Sequence, residues 1–179
     1  SKLLEKIVIA TSNKQIDYRI ARWAEHNGIS CYAGSEDDVL DRYYRATIEF
    51  GADPIVRITS DCPLIDPCVI DKGIEYFQKG KFDIVINNTD GFDVEVFSFE
   101  ALEKAWKEAT KDREHVTSYM IKFFSVGTIV YEGIDTSMHL SVDTQEDLKL
   151  IRKIYKSLGK DCGMRDVINW RTNEIQEIT

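Results

Sequence analysis

Pro54-Ile-Val-Arg-Ile-Thr-Ser-Asp-Cys-Pro-Leu-Ile-Asp-Pro67 is the stretch that decides the fold. Pro54–Thr59 is rich in β-branched residues and reads as a buried strand. Asp66-Pro67 opens a helix, with Pro at the first helical position, where its missing N–H costs nothing. Asp61 stands between the two. In an open α/β sheet, ligands sit outside the carboxyl ends of the strands, which is where Asp61 falls. Leu140-Ser-Val-Asp-Thr-Gln-Glu-Asp147 repeats the arrangement around Asp143. Two carboxylates at one sheet edge suit a shared hard cation. Mg²⁺ is held by one or two protein carboxylates, with substrate phosphates completing its shell. The alternative is that Asp61 and Asp143 are turn and cap residues, places that Asp favours without any ligand.

Outward from this stretch, strand-like and helix-like segments alternate, the signature of βαβ units and a largely parallel sheet. Lys6–Thr11 reads as a strand. A helix follows over Gln15–Asn27, with Ile16, Ile20, Trp23 and Ala24 on one inward face and Gly28 as its stop. Ile29–Ala33 is a short strand. Ser35 opens a helix with Val39, Leu40, Tyr43, Ala46 and Phe50 inward, ended by Gly51. Phe82–Asn87 and Phe92–Phe97 are strands, and Ser98 caps a helix over Phe99–Thr110. His115–Phe123 is a helix, Thr128–Tyr131 a strand and Met138–Val142 the last strand. A helix runs over Thr144–Leu158, and Met164–Trp170 is a short terminal helix. The loop Thr89–Phe92 and the junction near Lys122–Phe124 are the expected lid or hinge regions.

The 179 residues suit one domain, and 43% of them are hydrophobic, enough for a full core. No apolar run approaches the ~20 residues that span a bilayer. The opening Ser1-Lys-Leu-Leu-Glu-Lys6 leads into a strand without a secretory leader pattern. A net charge of −8 argues against a nucleic-acid partner, whose affinity rests on Lys and Arg contacts to phosphate. It leaves room for a small anionic ligand held through a metal. Cys31, Cys62, Cys68 and Cys162 show no zinc spacing and read as reduced thiols of a cytoplasmic protein.

Five blocks together carry a resemblance. They are Gly34-Ser-Glu-Asp-Asp-Val-Leu-Asp-Arg-Tyr-Tyr44, Arg57–Pro67, Asp90-Gly-Phe-Asp-Val-Glu-Val-Phe-Ser-Phe-Glu-Ala-Leu102, Arg113-Glu-His-Val116 and Ser141–Leu148. In this order they resemble the cytidylyltransferases of the acylneuraminate and CMP-Kdo synthetase type, above all the spore-coat polysaccharide biosynthesis branch. The resemblance implies an α/β, Rossmann-like, three-layer nucleotide-diphospho-sugar transferase fold with a mixed, mostly parallel sheet. It implies transfer of a cytidylyl group from CTP to a sugar, release of pyrophosphate and use of Mg²⁺. By it, Asp61 and Asp143 match the catalytic, metal-binding aspartates. Ser35 and Thr59 sit where the family meets the nucleotide, and Asp93, Glu95, Arg113 and His115 fall in blocks around the acceptor sugar. The family also has a first strand and a Gly- and Arg-bearing phosphate loop that no stretch of this chain matches, so Ser1–Thr179 is expected to be one domain without them. Ser60 replaces the usual glycine before the metal aspartate, and the stretches at Asn88–Gly91 and after Lys122 look shorter than their counterparts.

The chemistry sets three tasks: carboxylates for the metal, cations for the leaving phosphates, and donors that orient the acceptor. Arg42 and Arg57 are the nearest cations for the second task; each otherwise serves a structural ion pair. Ser35 with Asp38 reads equally as a helix cap. Arg113-Glu-His115 either binds a hydroxyl-rich sugar or forms a solvated first turn. Asp93 and Glu95 share one strand face, which is costly unless the charges are solvated, paired or bound to ligand. His26 and His139 read as structural. Phe92 and Phe97, on a segment expected at the surface, point to a homodimer. Two other functions stay open: a catalytically incomplete nucleotide-binding or assembly protein, and a nucleotide-sugar-dependent glycosyltransferase. Fold alone does not separate these, but glycosyltransferases of this kind usually carry an Asp-x-Asp motif, and Asp61-Cys-Pro63 is not one.

Overall fold

The computed structural model describes residues 1–87, 89–132 and 138–178, with side chains to residue 173. Six strands are β1 (Val8–Ser12), β2 (Ser30–Gly34), β3 (Ile55–Arg57), β4 (Ile84–Asn87), β5 (Glu95–Phe97) and β6 (Val126–Ile129). Seven helices are α1 (Tyr18–His26), α2 (Val39–Phe50), α3 (Pro67–Lys79), α4 (Phe99–Glu108), α5 (Ser118–Phe123), α6 (Gln145–Leu158) and α7 (Met164–Ile178). The strands form two sheets. β1 and β2 pair in parallel, and the larger sheet has the order β3-β5-β4-β6. Within it β4 and β6 are parallel, while β5 runs antiparallel to both β3 and β4.

Strand alternation sends neighbouring residues to opposite faces of the sheet. Val85 and Val96, directly paired, enter a core built with Ile70 and Ile74 of α3 and Ile151 and Ile154 of α6. Ile84 and Phe97, the next pair, enter a second core with Leu40 of α2, Leu102 of α4 and Met120 of α5. The larger sheet is thus the middle of three layers. Among the described residues, β1 is paired only with β2 and β3 only with β5. Between β1 and β3 lies a cavity of about 500 Å³, walled by Val8, Ala10, Ile55, Val56, Ala46 and Phe50.

Local chemistry sets most element ends. Asp66 accepts from Cys68 N, and Pro67 follows at the start of α3. Ser98 accepts from Ala101 N at the start of α4. Thr144 and Asp147 form a reciprocal capping box at α6. Gly51 ends α2 with φ +66°, a conformation that glycine adopts without strain.

Several expectations are corrected. Ser35 does not open α2; Asp38 is its cap and accepts from Asp41 N, while Ser35 Oγ accepts from Asp38 N. Ile16, Ile20 and Trp23 do not face inward: all three are exposed, and α1 buries only Ala24. Ile16 lies in the 3-10 turn Gln15–Asp17 ahead of α1, and the Ile20–Trp23 face of α1 stays exposed. Met138–Val142 is not a strand. Met138 and Leu140 are buried in alternation, yet the segment joins no ladder. Phe92 and Phe97 are both fully buried, so the motive for a homodimer through them is gone. α7 runs well past Trp170. Asn88 of the short loop lies outside the described residues.

Candidate functional site

The turn after β3 and the segment before α6 meet. Val142 N donates to the carbonyl of Asp61 at 2.8 Å, which sets Asp143 beside the Asp61 turn. Asp61 and Asp143 are both exposed. Beneath Asp61, Cys62 is buried, with its sulfur 3.4 Å from Thr59 Oγ1 and 3.6 Å from both Asp61 Oδ1 and Asp93 Oδ2. Burial pushes the Cys62 thiol up to about 11, so it stays protonated at neutral pH. Asp93 is also pushed above the usual carboxylate range by burial, although the amide of Gly91 donates to it and the Cys62 sulfur lies 3.6 Å away.

The loop that carries Asp93 is tied down. Buried Asn87 acts as a substitute peptide group: its Nδ2 donates to Phe92 O at 3.0 Å, and its Oδ1 accepts from Val94 N at 2.7 Å. Gly91, with φ +80°, lies where a Cβ would be 2.6 Å from Leu140 Cβ. The expected lid is therefore packed against the segment that leads to Asp143.

His139 belongs to this site, although its sequence position reads as structural. Its Nδ1 is 2.8 Å from Asp90 Oδ2, and its Nε2 is 3.2 Å from Asp143 Oδ2 and 3.6 Å from Asp147 Oδ2. The Asp90 contact raises the imidazole above its ordinary value, with Asp147 and Asp143 adding to the effect. Asp147 is held low, first by the Thr144 hydroxyl and amide. One ligand atom from each of His139, Asp143 and Asp147 lies within 4.8 Å of the others. The only sequence signal for this cluster was the spacing of His139 four residues before Asp143; the Asp90 contact comes from a distant loop.

The donor type of the Asp61 and Asp143 carboxylates is the one that Mg²⁺ takes. Both offer hard oxygen donors at the surface, and Asp61 Oδ2 and Asp143 Oδ1 have no hydrogen-bond partner among the described residues.

The other expected residues fall into two structural groups. Ser35, Arg42 and Arg113 gather at the start of α2. Arg42 Nη1 donates to Ser35 O at 3.1 Å. Arg113 Nε donates to Asp38 Oδ2 at 2.8 Å, and its Nη1 donates to the carbonyls of Trp106 and Ala109 at 2.9 and 3.0 Å. Arg113 thus caps α4 and clamps it to α2. In the second group, Glu95 sits opposite Arg57 in the β3–β5 ladder. Arg57 Nη1 donates to one Glu95 oxygen at 2.6 Å and Thr117 Oγ1 to the other at 2.8 Å. The expected shared strand face does not form: Asp93 lies in the loop before β5, where burial raises it, while Glu95 is paired with Arg57. His115 stands exposed in the turn before α5.

Residues 1–169 match the family model described as cytidylyltransferase. The chain is 41% identical over 184 residues to an uncharacterized protein of Methanocaldococcus jannaschii, covering 95% of this chain and 74% of that one. It is 28% identical over 170 residues to the spore coat polysaccharide biosynthesis protein SpsF of Bacillus subtilis, covering 87% and 69%. Among solved structures, a cytidylyltransferase from Leptospira borgpetersenii superposes with a TM-score of 0.91 at 29% identity, over 98% of this chain and 79% of that one. The molybdopterin-guanine dinucleotide biosynthesis protein A of Archaeoglobus fulgidus, with a TM-score of 0.57 at 15% identity, covers 84% and 79% and shares the fold alone.

Proposed function

We propose that this chain, which belongs to the cytidylyltransferase family, transfers a cytidylyl group from CTP to a sugar acceptor and releases pyrophosphate, in the making of surface-glycan precursors. That it is a CTP-utilising nucleotidyltransferase follows from the family; the sugar and the pathway are the proposal. The observation that carries it is the backbone bond from Val142 N to Asp61 O, which joins the segments that carry two aspartates of distant blocks. Similarity to SpsF supports the glycan setting.

The reaction is an in-line displacement at the α-phosphate, governed by positioning and charge neutralisation. Asp61 and Asp143 would hold Mg²⁺, which supplies neutralising charge to the triphosphate when bound. Thr59, hydrogen-bonded to Cys62, lines the turn that faces the nucleotide. Asp93 and exposed His115 are the expected residues left to meet the acceptor. Glu95 and Arg113 position these segments from within, since their side chains are committed to Arg57, Thr117, Asp38 and helix carbonyls.

The cavity between β1 and β3 is, in this reading, the place of the family's first strand, whose loop would cradle the triphosphate. The setting implied is cytoplasmic; among the described residues, no helix is long and apolar enough to cross a membrane.

The test is pyrophosphate release from CTP with Mg²⁺ across a panel of sugar acids and sugars. Asp61→Asn and Asp143→Asn should each lower the rate by roughly a hundredfold or more, as expected for loss of charge stabilisation in the transition state.

A further inference from the structure

Cys62 is a buried side chain of the Asp61 turn that this chemistry leaves without a task. It is 4% exposed, yet it does not sit among hydrocarbon. One sulfur faces three oxygens: Thr59 Oγ1 at 3.4 Å, and Asp61 Oδ1 and Asp93 Oδ2 at 3.6 Å each. A thiol has one proton to give and weak acceptor capacity. The Thr59 hydroxyl can donate to the sulfur, and this leaves the S–H for a carboxylate. The two carboxylates come from separate segments, the turn after β3 and the loop before β5, and they repel each other. A neutral donor between them eases that repulsion and fixes which oxygen of each points inward.

We propose that Cys62 is a positioning residue for the cation-holding carboxylate. Its S–H anchors Asp61 Oδ1 from inside the fold, so that Asp61 Oδ2 is turned outward toward the cation, while Asp93 Oδ2, 3.6 Å from the same sulfur on the loop before β5, accepts from the Gly91 amide. The inference rests on the cytidylyl-transfer reading and its Mg²⁺ site. It concerns neither of the cation's own ligands but the group behind one of them. Partners behind metal ligands commonly govern affinity by 10- to 100-fold.

The experiment measures Mn²⁺ affinity by water-proton relaxation, on wild type, Cys62→Ala, Cys62→Ser and Cys62→Val, each first checked for folding by urea unfolding. Cys62→Ala should bind Mn²⁺ about tenfold more weakly, the low end of the range because S–H is a weak donor. Cys62→Ser keeps a donor and should recover most of the affinity. Cys62→Val keeps bulk without a donor and should behave as Cys62→Ala; it replaces the alanine variant if that one does not fold. In pyrophosphate release, the Mg²⁺ concentration for half-maximal rate should rise by the same factor, with the rate at saturating Mg²⁺ little changed. Wild-type affinity in folded Cys62→Ala or Cys62→Val overturns the inference and leaves the transfer reading intact. So does a serine variant as weak as the alanine one, which would make Cys62 a matter of packing. Failure of wild type to bind Mn²⁺ at all would overturn both.

Discussion

Replacing Glu95 by alanine separates a carboxylate that serves the sheet from one that serves a ligand. Glu95 faces Arg57 across the ladder at 2.6 Å, and both side chains are less than one-fifth exposed, at 17% and 18%. Thr117 donates to the second carboxylate oxygen at 2.8 Å. Arg57 Nε is buried and already has no partner among the described residues. The guanidinium also rests 5.8 Å from the centre of the Tyr43 ring, which cannot replace a counter-charge. Removing the carboxylate therefore leaves a cation inside the fold, and breaking such a buried pair costs about 3–5 kcal/mol. At about 2–4 °C per kcal/mol for a chain of this size, the thermal midpoint should fall by about 6–20 °C. Glu95→Gln keeps the volume and one acceptor, loses the charge, and should cost about 1–3 kcal/mol. Urea unfolding followed by far-UV circular dichroism measures both, alongside the KM for the acceptor. If Glu95→Ala unfolds within about 1 kcal/mol of wild type while the acceptor KM rises tenfold, the carboxylate faces a ligand and the pairing argument is wrong.

Gly91→Ala should lower the thermal midpoint by at least about 2 °C, because it combines φ +80° with a Cβ 2.6 Å from Leu140 Cβ and 2.7 Å from Leu140 O. An unchanged midpoint would show that the loop does not pack on Leu140. Asp93 sets a pH dependence. Its folded-state pKa lies above the ordinary 3.8, so the folded form holds its proton more tightly than the unfolded chain does. The stability linked to that proton is complete below the ordinary value and is lost as pH rises through the folded one. Asp93→Asn should therefore flatten the fall in thermal midpoint as pH rises above the ordinary value and raise the midpoint at neutral pH. A steeper fall in the variant would mean that Asp93 gains from ionisation.

Elements set by neighbours in sequence were legible. Asp66-Pro67, Ser98, Gly51 and Thr144 mark ends that depend on local hydrogen bonds and backbone freedom, and the structure has them where those residues stand. Elements that need a surface to cover them were not. Ile16, Ile20 and Trp23 have the period of a buried helix face, and Met138 and Leu140 the period of a strand. Whether a face is covered or an edge paired depends on other segments. The site divides the same way. Asp61 and Asp143 were expected from strand-end position and block resemblance; the structure joins their segments through the Val142–Asp61 backbone bond, although Met138–Val142 forms no strand. The His139 cluster was not expected, because it joins Asp90 to Asp143 across the fold. Arg113 and Glu95 were assigned to the acceptor from their blocks, and only the folded chain shows Asp38, Thr117 and Arg57 occupying them. Asp93 and Glu95 were expected on one strand face, but β5 begins at Glu95 and leaves Asp93 in the loop before it.

The break between β1 and β3 bears on cooperativity. α2 packs on β1 and β2 on one side of the break and on α4 on the other, so it is the principal bridge between two bodies of unequal size. With no ladder across the break, the β1–α1–β2 body can open while the four-stranded body stays closed, as a separate unit of local unfolding. The tryptophans divide along the same line: Trp23 rides on α1, whereas Trp106 and Trp170 belong to α4 and α7. Their fluorescence would then blend two melting events. A single free energy fitted to the blend would describe neither body.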